Sequence, residues 1–194
     1  MSAKSNLTNP FPGLRSFRSD EDYLFFGREE QTTELMERLQ RNRFVAVVGS
    51  SGGGKSSLVR CGLLSHLQGG GMVDAGAHWE IAVMHPGGNP LAQLANSLIE
   101  ADLYDSEEED VHANLAATLG RSQFGLIEAI RHSDLPKGSN FLLVVDQFEE
   151  IFRFEEAVAA ESEIANDFIG MLLEASAQAD LPLYVVTTMR SDFI

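Results

Sequence analysis

Residues 45 to 60 read VAVVGSSGGGKSSLVR. A short apolar run rich in valine enters a glycine cluster. The cluster passes into a lysine, two serines and a segment of helical composition. Gly49, four residues, then Gly54, Lys55 and Ser56 have the spacing G-x4-G-K-[ST] of a phosphate-binding loop. The chemistry needs these residue types in this order. Glycines let the backbone fold into a concave nest whose N–H groups converge on one oxyanion. The helix starts at the same place, so its partly positive end faces that anion. The candidate nucleotide contacts are therefore Gly49, Ser50, Ser51, Gly52, Gly53, Gly54, Lys55, Ser56 and Ser57. Lys55 reaches the β- and γ-phosphates, and the Ser56 hydroxyl is a ligand for Mg²⁺. Glycine-rich turns are common, but a strand before and a helix after form the confirming context, and this match has both.

A phosphate-binding loop of this kind works with a metal-holding acid. The stretch FLLVVDQFEE supplies one: Asp146 ends an apolar run, where a Walker B aspartate would hold Mg²⁺ directly or through water. Glu149 and Glu150 follow at once. A carboxylate there can orient and polarise an attacking water, and spacing alone does not say which of the two does so. A further apolar run ends in TTMRSD. Arg190 is expected to emerge beside the γ-phosphate and bridge its oxygens, with Thr187 and Thr188 as nearby hydrogen-bond donors. The competing reading of Arg190 is a surface arginine paired with Asp192. Catalytic candidates are thus Lys55, Asp146, Glu149, Glu150 and Arg190, and metal candidates are Ser56 and Asp146.

The rest of the chain alternates strand and helix. Strands are expected at RFVAVVG, WEIAVMHP, NFLLVVDQ and LPLYVVTTMR. Helices are expected over 29–41, 55–68, from Pro90 with Asn89 as N-cap, over 111–119, 122–132 and 157–178. Residues 1–24 read as irregular, the triple glycine 69–71 as a flexible loop, and DSEEED as a solvated turn or helix start. The strands are continuously apolar, as in a parallel sheet covered on both faces. The fold class is α/β: a three-layer P-loop NTPase with a mostly parallel sheet, ligands lying beyond the carboxyl ends of its strands.

Composition narrows the function. The 194 residues carry 14 Lys plus Arg against 29 Asp plus Glu, a net charge of −15, which disfavours nucleic acid and anionic lipid as partners. The single cysteine, Cys61, permits no internal disulfide and reads as a small buried side chain on a helix. The N-terminus has no signal-peptide core, and FVAVV and FLLVV fall far short of the roughly 20 residues that span a bilayer. A cytoplasmic location is expected.

Several segments together resemble a known family. FFGREEQTTELMERL upstream of the loop is similar to the hhGRE segment of the STAND ATPases, signal-transducing NTPases with numerous domains. NPFPGLRSFRSDEDYLFFGRE, FVAVVGSSGGGKSSLVRCGLL, VVDQFEEIF and MRSDF resemble the bacterial novel STAND group, often fused to WD-repeat propellers. MHPGGNPL resembles that group's PG-x-x-P-L element. His85 falls within it and reads as structural. The resemblance runs from about residue 9 to 194. It implies that Phe26, Gly27 and Arg28 lie against adenine and ribose, and that ATP or ADP with Mg²⁺ is the ligand. It implies an additional-strand domain over 25–194, with a five-strand core ordered 5-1-4-3-2. Four strands are visible, so the chain reads as the N-terminal part of a longer protein, cut before strand 5, lid and C-terminal sensor domains. The loop-bearing strand would then lie at a sheet edge.

The function so implied is an ATP-binding, slowly hydrolysing switch in signalling or antiphage defence, with C-terminal repeat domains and homo-oligomerisation on activation. The alternative is a nucleotide-gated oligomerisation scaffold in which hydrolysis is incidental. A P-loop kinase is disfavoured by the lack of an arginine-rich lid. The lack of a guanine-reading NKxD segment leans towards adenine.

Overall fold

The computed structural model describes residue 17 and residues 19–72, 78–153 and 159–194. Among these, four strands form one wholly parallel sheet: β1 (Phe44–Gly49), β2 (Trp79–Met84), β3 (Asn140–Val145) and β4 (Leu183–Arg190). Their order is β1-β4-β3-β2. This is the expected order 1-4-3-2, with β1 at an edge.

Burial follows position in the sheet. All six residues of β3 are buried, as are the first six of β4. Phe141, Leu143 and Val145 face one layer, while Leu142 and Val144 face the other, as the period of two requires. The larger layer holds the helices Pro90–Glu100, Val111–Leu119, Gly125–His132 and Ala159–Ala177. The smaller holds α1 (Glu29–Asn42) and the helix after the loop, through Leu35, Leu39, Val59, Leu63 and Leu67. Truncating any of these large side chains to alanine would cost about 2–5 kcal/mol. Edge strand β1 is only partly covered, and Val48 is 43% exposed.

The helix after the loop, called the P-loop helix below, is not uniform. It begins as α (Lys55–Ser57), widens to π (Leu58–Leu64) and closes as α (Ser65–Gln68). Its end corrects one expectation. Gly70 is left-handed at φ 82°, its N–H donates to the Leu67 carbonyl, and the Gly71 N–H donates to the His66 carbonyl at 2.8 Å. Gly69–Gly71 is therefore a Schellman cap rather than a flexible loop. The helix from Pro90 begins as its sequence predicts, the Asn89 side chain accepting from the Ala92 N–H.

Residues 1–16 and 18 lie outside the described residues. Within the segment expected to be irregular, Ser19–Leu24 forms 3₁₀ turns packed on the π segment. A short helix, Glu150–Arg153, was not anticipated. No helix among the described residues is long and apolar enough to cross a membrane.

Candidate nucleotide-binding site

The loop between β1 and the P-loop helix has the backbone that its glycines suggest. Gly52 and Gly54 sit at φ 71° and 77°, in the left-handed region where a side chain is strained. The Gly53 N–H donates to the Ser50 carbonyl at 3.1 Å, closing a tight turn. Residues 50–54 are exposed. Lys55 is folded back over this turn, its Nζ donating to the carbonyls of Gly49 (3.0 Å) and Ser50 (2.8 Å). Ser57 points inward, its hydroxyl accepting from the Phe17 N–H at 3.2 Å. Its side chain is thus turned away from the phosphate side.

The segment before α1 reaches the same loop. Arg28 Nη2 donates to the Gly53 carbonyl at 3.5 Å, and the Gly27 N–H donates to Glu29 Oε1. Phe26 is 76% exposed. The Thr32 hydroxyl, buried in α1, donates to the Arg28 carbonyl at 2.9 Å. α1 can lie this close to the P-loop helix because of Gly62: a Cβ there would sit 2.5 Å from Thr32 Oγ1.

At the carboxyl ends of β3 and β4 the polar groups converge on Asp146. Its Oδ1 accepts from the hydroxyls of Ser56 (2.7 Å) and Thr188 (2.6 Å). Its Oδ2 lies 3.2 Å from Arg60 Nη2 and 3.5 Å from His85 Nε2. The Asp146 side chain is 3% exposed. Burial alone would raise its carboxyl. Hydrogen bonds from His85, Thr188 and Ser56, with the Arg60 charge, outweigh burial and hold it well below the usual carboxylate range. The bond to Asp146 pushes His85 up, against the effect of its own desolvation.

The two glutamates part company. Gln147 adopts φ 58°, and its N–H donates to Thr188 Oγ1, which turns the chain sharply after Asp146. Buried Glu149 then leans towards β4, its Oε2 accepting from the Arg190 N–H at 3.3 Å. Glu150 reaches the other way, its Oε2 accepting from the Gly87 N–H at 3.1 Å in the loop after β2. Arg190 pairs in register with Gly49, so it does emerge beside the loop. Its guanidinium, however, donates to Asp192 and lies over the Phe193 ring at 5.5 Å.

Ser56, Asp146 and Thr188, predicted from three separate motifs, therefore meet. Arg60 was missed, and His85, read as a structural loop residue, joins the cluster. An arginine four residues beyond Ser56 on the same helix was the available signal. The oxygen-only pair of Ser56 and Asp146 fits Mg²⁺, which takes one or two protein ligands plus phosphates and waters. Among the described residues no cluster of three or more His, Cys, Asp or Glu could hold a metal ion.

A parallel sheet ordered 1-4-3-2, with a phosphate nest after β1 and a buried aspartate after β3, defines a P-loop NTPase domain. The profile of the novel STAND NTPase 1 family matches residues 10–194, and the chain belongs to that family of nucleotide-binding NTPase domains. Among curated proteins none shows significant similarity to the chain. Among solved structures, the ORC2 protein of Aeropyrum pernix, determined as ADPNP–ADP complexes, is similar in fold. Its TM-score is 0.51 at 11% identity, covering 86% of this chain and 41% of that one. The chain thus spans less than half the length of that protein.

Proposed function

We propose that this chain is the ATP-binding and slowly hydrolysing domain of a signalling or defence switch in the cytoplasm, with ATP or ADP and Mg²⁺ as ligands. The carrying observation is the 2.7 Å contact between Ser56 and Asp146, 90 residues apart, directly behind the glycine nest. Loop N–H groups and Lys55 would hold the phosphate oxygens and take up the charge that develops during transfer. Phe26, Gly27 and Arg28 would line the base and ribose. Mg²⁺, held by Ser56 and Asp146, would supply charge neutralisation on the phosphates.

The sheet order supports a division between the glutamates. Glu149 is tied to β4, which adjoins the loop-bearing strand, so its carboxylate would face the phosphates and orient water. Glu150 is tied to the loop after β2, on the far side, and would hold that loop in place. Arg190, released from Asp192, would contact the third phosphate. Slow turnover is expected, because an arginine supplied by a neighbouring subunit contributes about 10³–10⁵ in rate in related phosphoryl transfers. The commitment of Arg190 to Asp192 favours, as a second reading, a scaffold in which nucleotide gates assembly and hydrolysis is incidental. A further domain of the same chain and further copies of it would be the partners.

Single-turnover hydrolysis of labelled ATP tests both. Glu149→Gln should abolish cleavage while leaving binding intact, and Glu150→Gln should reduce it less. Equal, unimpaired rates in both variants would remove the catalytic reading and leave the scaffold. Failure of ATP and ADP to bind at all would remove both.

A further inference from the structure

We propose that Arg60 is a built-in counter-cation: it balances the charge of Asp146 when no metal is there, and metal must compete with it for that carboxylate. The inference rests on the reading above that Asp146 anchors Mg²⁺, and adds a competitor for that anchor.

Asp146 is already crowded by donors. Ser56 and Thr188 donate to Oδ1, Arg60 Nη2 donates to Oδ2, and His85 Nε2 lies 3.5 Å from Oδ2. A cation arriving here meets whichever of them stay. Ser56 would leave as a metal ligand itself. Of the remaining donors only arginine is charged at every ordinary pH, and it would repel an incoming dication at this range.

Two features make Arg60 exchangeable. It meets Oδ2 through one nitrogen at 3.2 Å, not through the two-point fork that fixes an arginine on a carboxylate. Its Nε is buried without a hydrogen-bond partner, so the pose leaves a donor unsatisfied. Arg60 also lies on the π segment of the helix that carries Ser56, so the guanidinium and the metal-binding hydroxyl approach Asp146 from the same element. The consequence is that a buried, empty metal site is never left as a bare negative charge. The cost is weaker metal binding.

The test compares wild type, Arg60→Met and Arg60→Lys in the full chain. Free Mn²⁺ is counted by electron paramagnetic resonance, with and without ADP, and metal-free melting is followed in EDTA. Arg60→Met should tighten Mn²⁺ binding about tenfold and lower the metal-free melting temperature by about 5 °C, while ADP affinity in EDTA stays unchanged. Arg60→Lys, which keeps the charge, should stay near wild type. Arg60→Gln carries the same comparison should the methionine variant fail to fold.

Unchanged or weaker Mn²⁺ binding in Arg60→Met would overturn the proposal, as would loss of ADP affinity in EDTA, which would make Arg60 a phosphate contact. If wild type binds no ADP, the nucleotide reading fails, and the arm without ADP still decides for or against Arg60. If Mn²⁺ binds to none of the proteins, the Asp146 cation site itself is refuted.

Discussion

The two ends of the site are built differently. The phosphate end, residues 50–54, is exposed main chain, and its lysine is satisfied by the carbonyls of its own loop. The proposed metal end is buried side chain: Asp146 accepts hydrogen bonds from the P-loop helix and strand β4 and is approached at 3.5 Å by His85 from the loop after β2. The difference teaches which part is prepared and which must move. Asp146 ties three elements together and its removal should be felt by the fold. Lys55 ties only its own loop, and its removal should be felt by the ligand.

The largest expected effect breaks the metal end. Asp146→Ala strands the Arg60 guanidinium and the Ser56 and Thr188 hydroxyls, which should cost about 3–5 kcal/mol and lower the melting temperature by about 10 °C. A urea melt measures it. A cost under about 1 kcal/mol would mean that the metal end is no more structural than the loop.

Lys55→Ala is the matching change at the phosphate end. Its unfolding free energy without ligand should stay within about 0.5 kcal/mol of wild type. The stabilisation by Mg²⁺-ATP, about 2.7 kcal/mol at one hundred times Kd for wild type, should disappear. Thermal melts with and without nucleotide check both halves.

Gly62→Ala sharpens the comparison at the seam where α1 presses the Arg28 segment against the loop. The added Cβ would sit 2.5 Å from Thr32 Oγ1, which is held by the Arg28 carbonyl, at a cost of about 1–3 kcal/mol. Thr32→Ala in the same chain removes the colliding atoms and should recover part of the loss in a denaturant melt.

The smallest effect concerns pH. The folded pKa of His85 is raised above its ordinary value, so its contribution is complete below about pH 6.5 and fades as pH rises through the raised value. The side chain is 43% exposed, and solvent screening leaves about 0.3 kcal/mol. His85→Gln should flatten that slope between pH 6 and 8. The Asp146 shift has the opposite sign: its stabilisation is present above the unfolded carboxyl value and is lost only as pH falls through the depressed folded value.

Features written in local pattern were readable before the structure. The run into Gly49, the apolar run before Asp146 and the Asn89-Pro90 helix start each encode their geometry within a few residues. The strand order and the exposed position of β1 followed from family resemblance. What stayed hidden depends on register or on distance in sequence. The different partners of Glu149 and Glu150 have no local signature. They part because Gln147 turns left-handed and because β4, not β2, lies between β3 and the loop-bearing strand. Arg60 stands one helical turn beyond Ser56, which hints at a shared face, but nothing within the P-loop helix says that its partner lies 86 residues away. The triple glycine misled because a helix cap and a flexible loop use the same residue for the same left-handed backbone.

The central claim is tested most directly by a crystal structure of the protein with Mg²⁺ and a non-hydrolysable ATP analogue. Phosphates should lie against the main-chain amides of residues 50–56, with Lys55 Nζ lifted from the Gly49 and Ser50 carbonyls and the Ser56 hydroxyl turned from Asp146 to the cation. A nest without nucleotide, with Lys55 still on those carbonyls and Asp146 still bound by Ser56, Thr188 and Arg60, would contradict it.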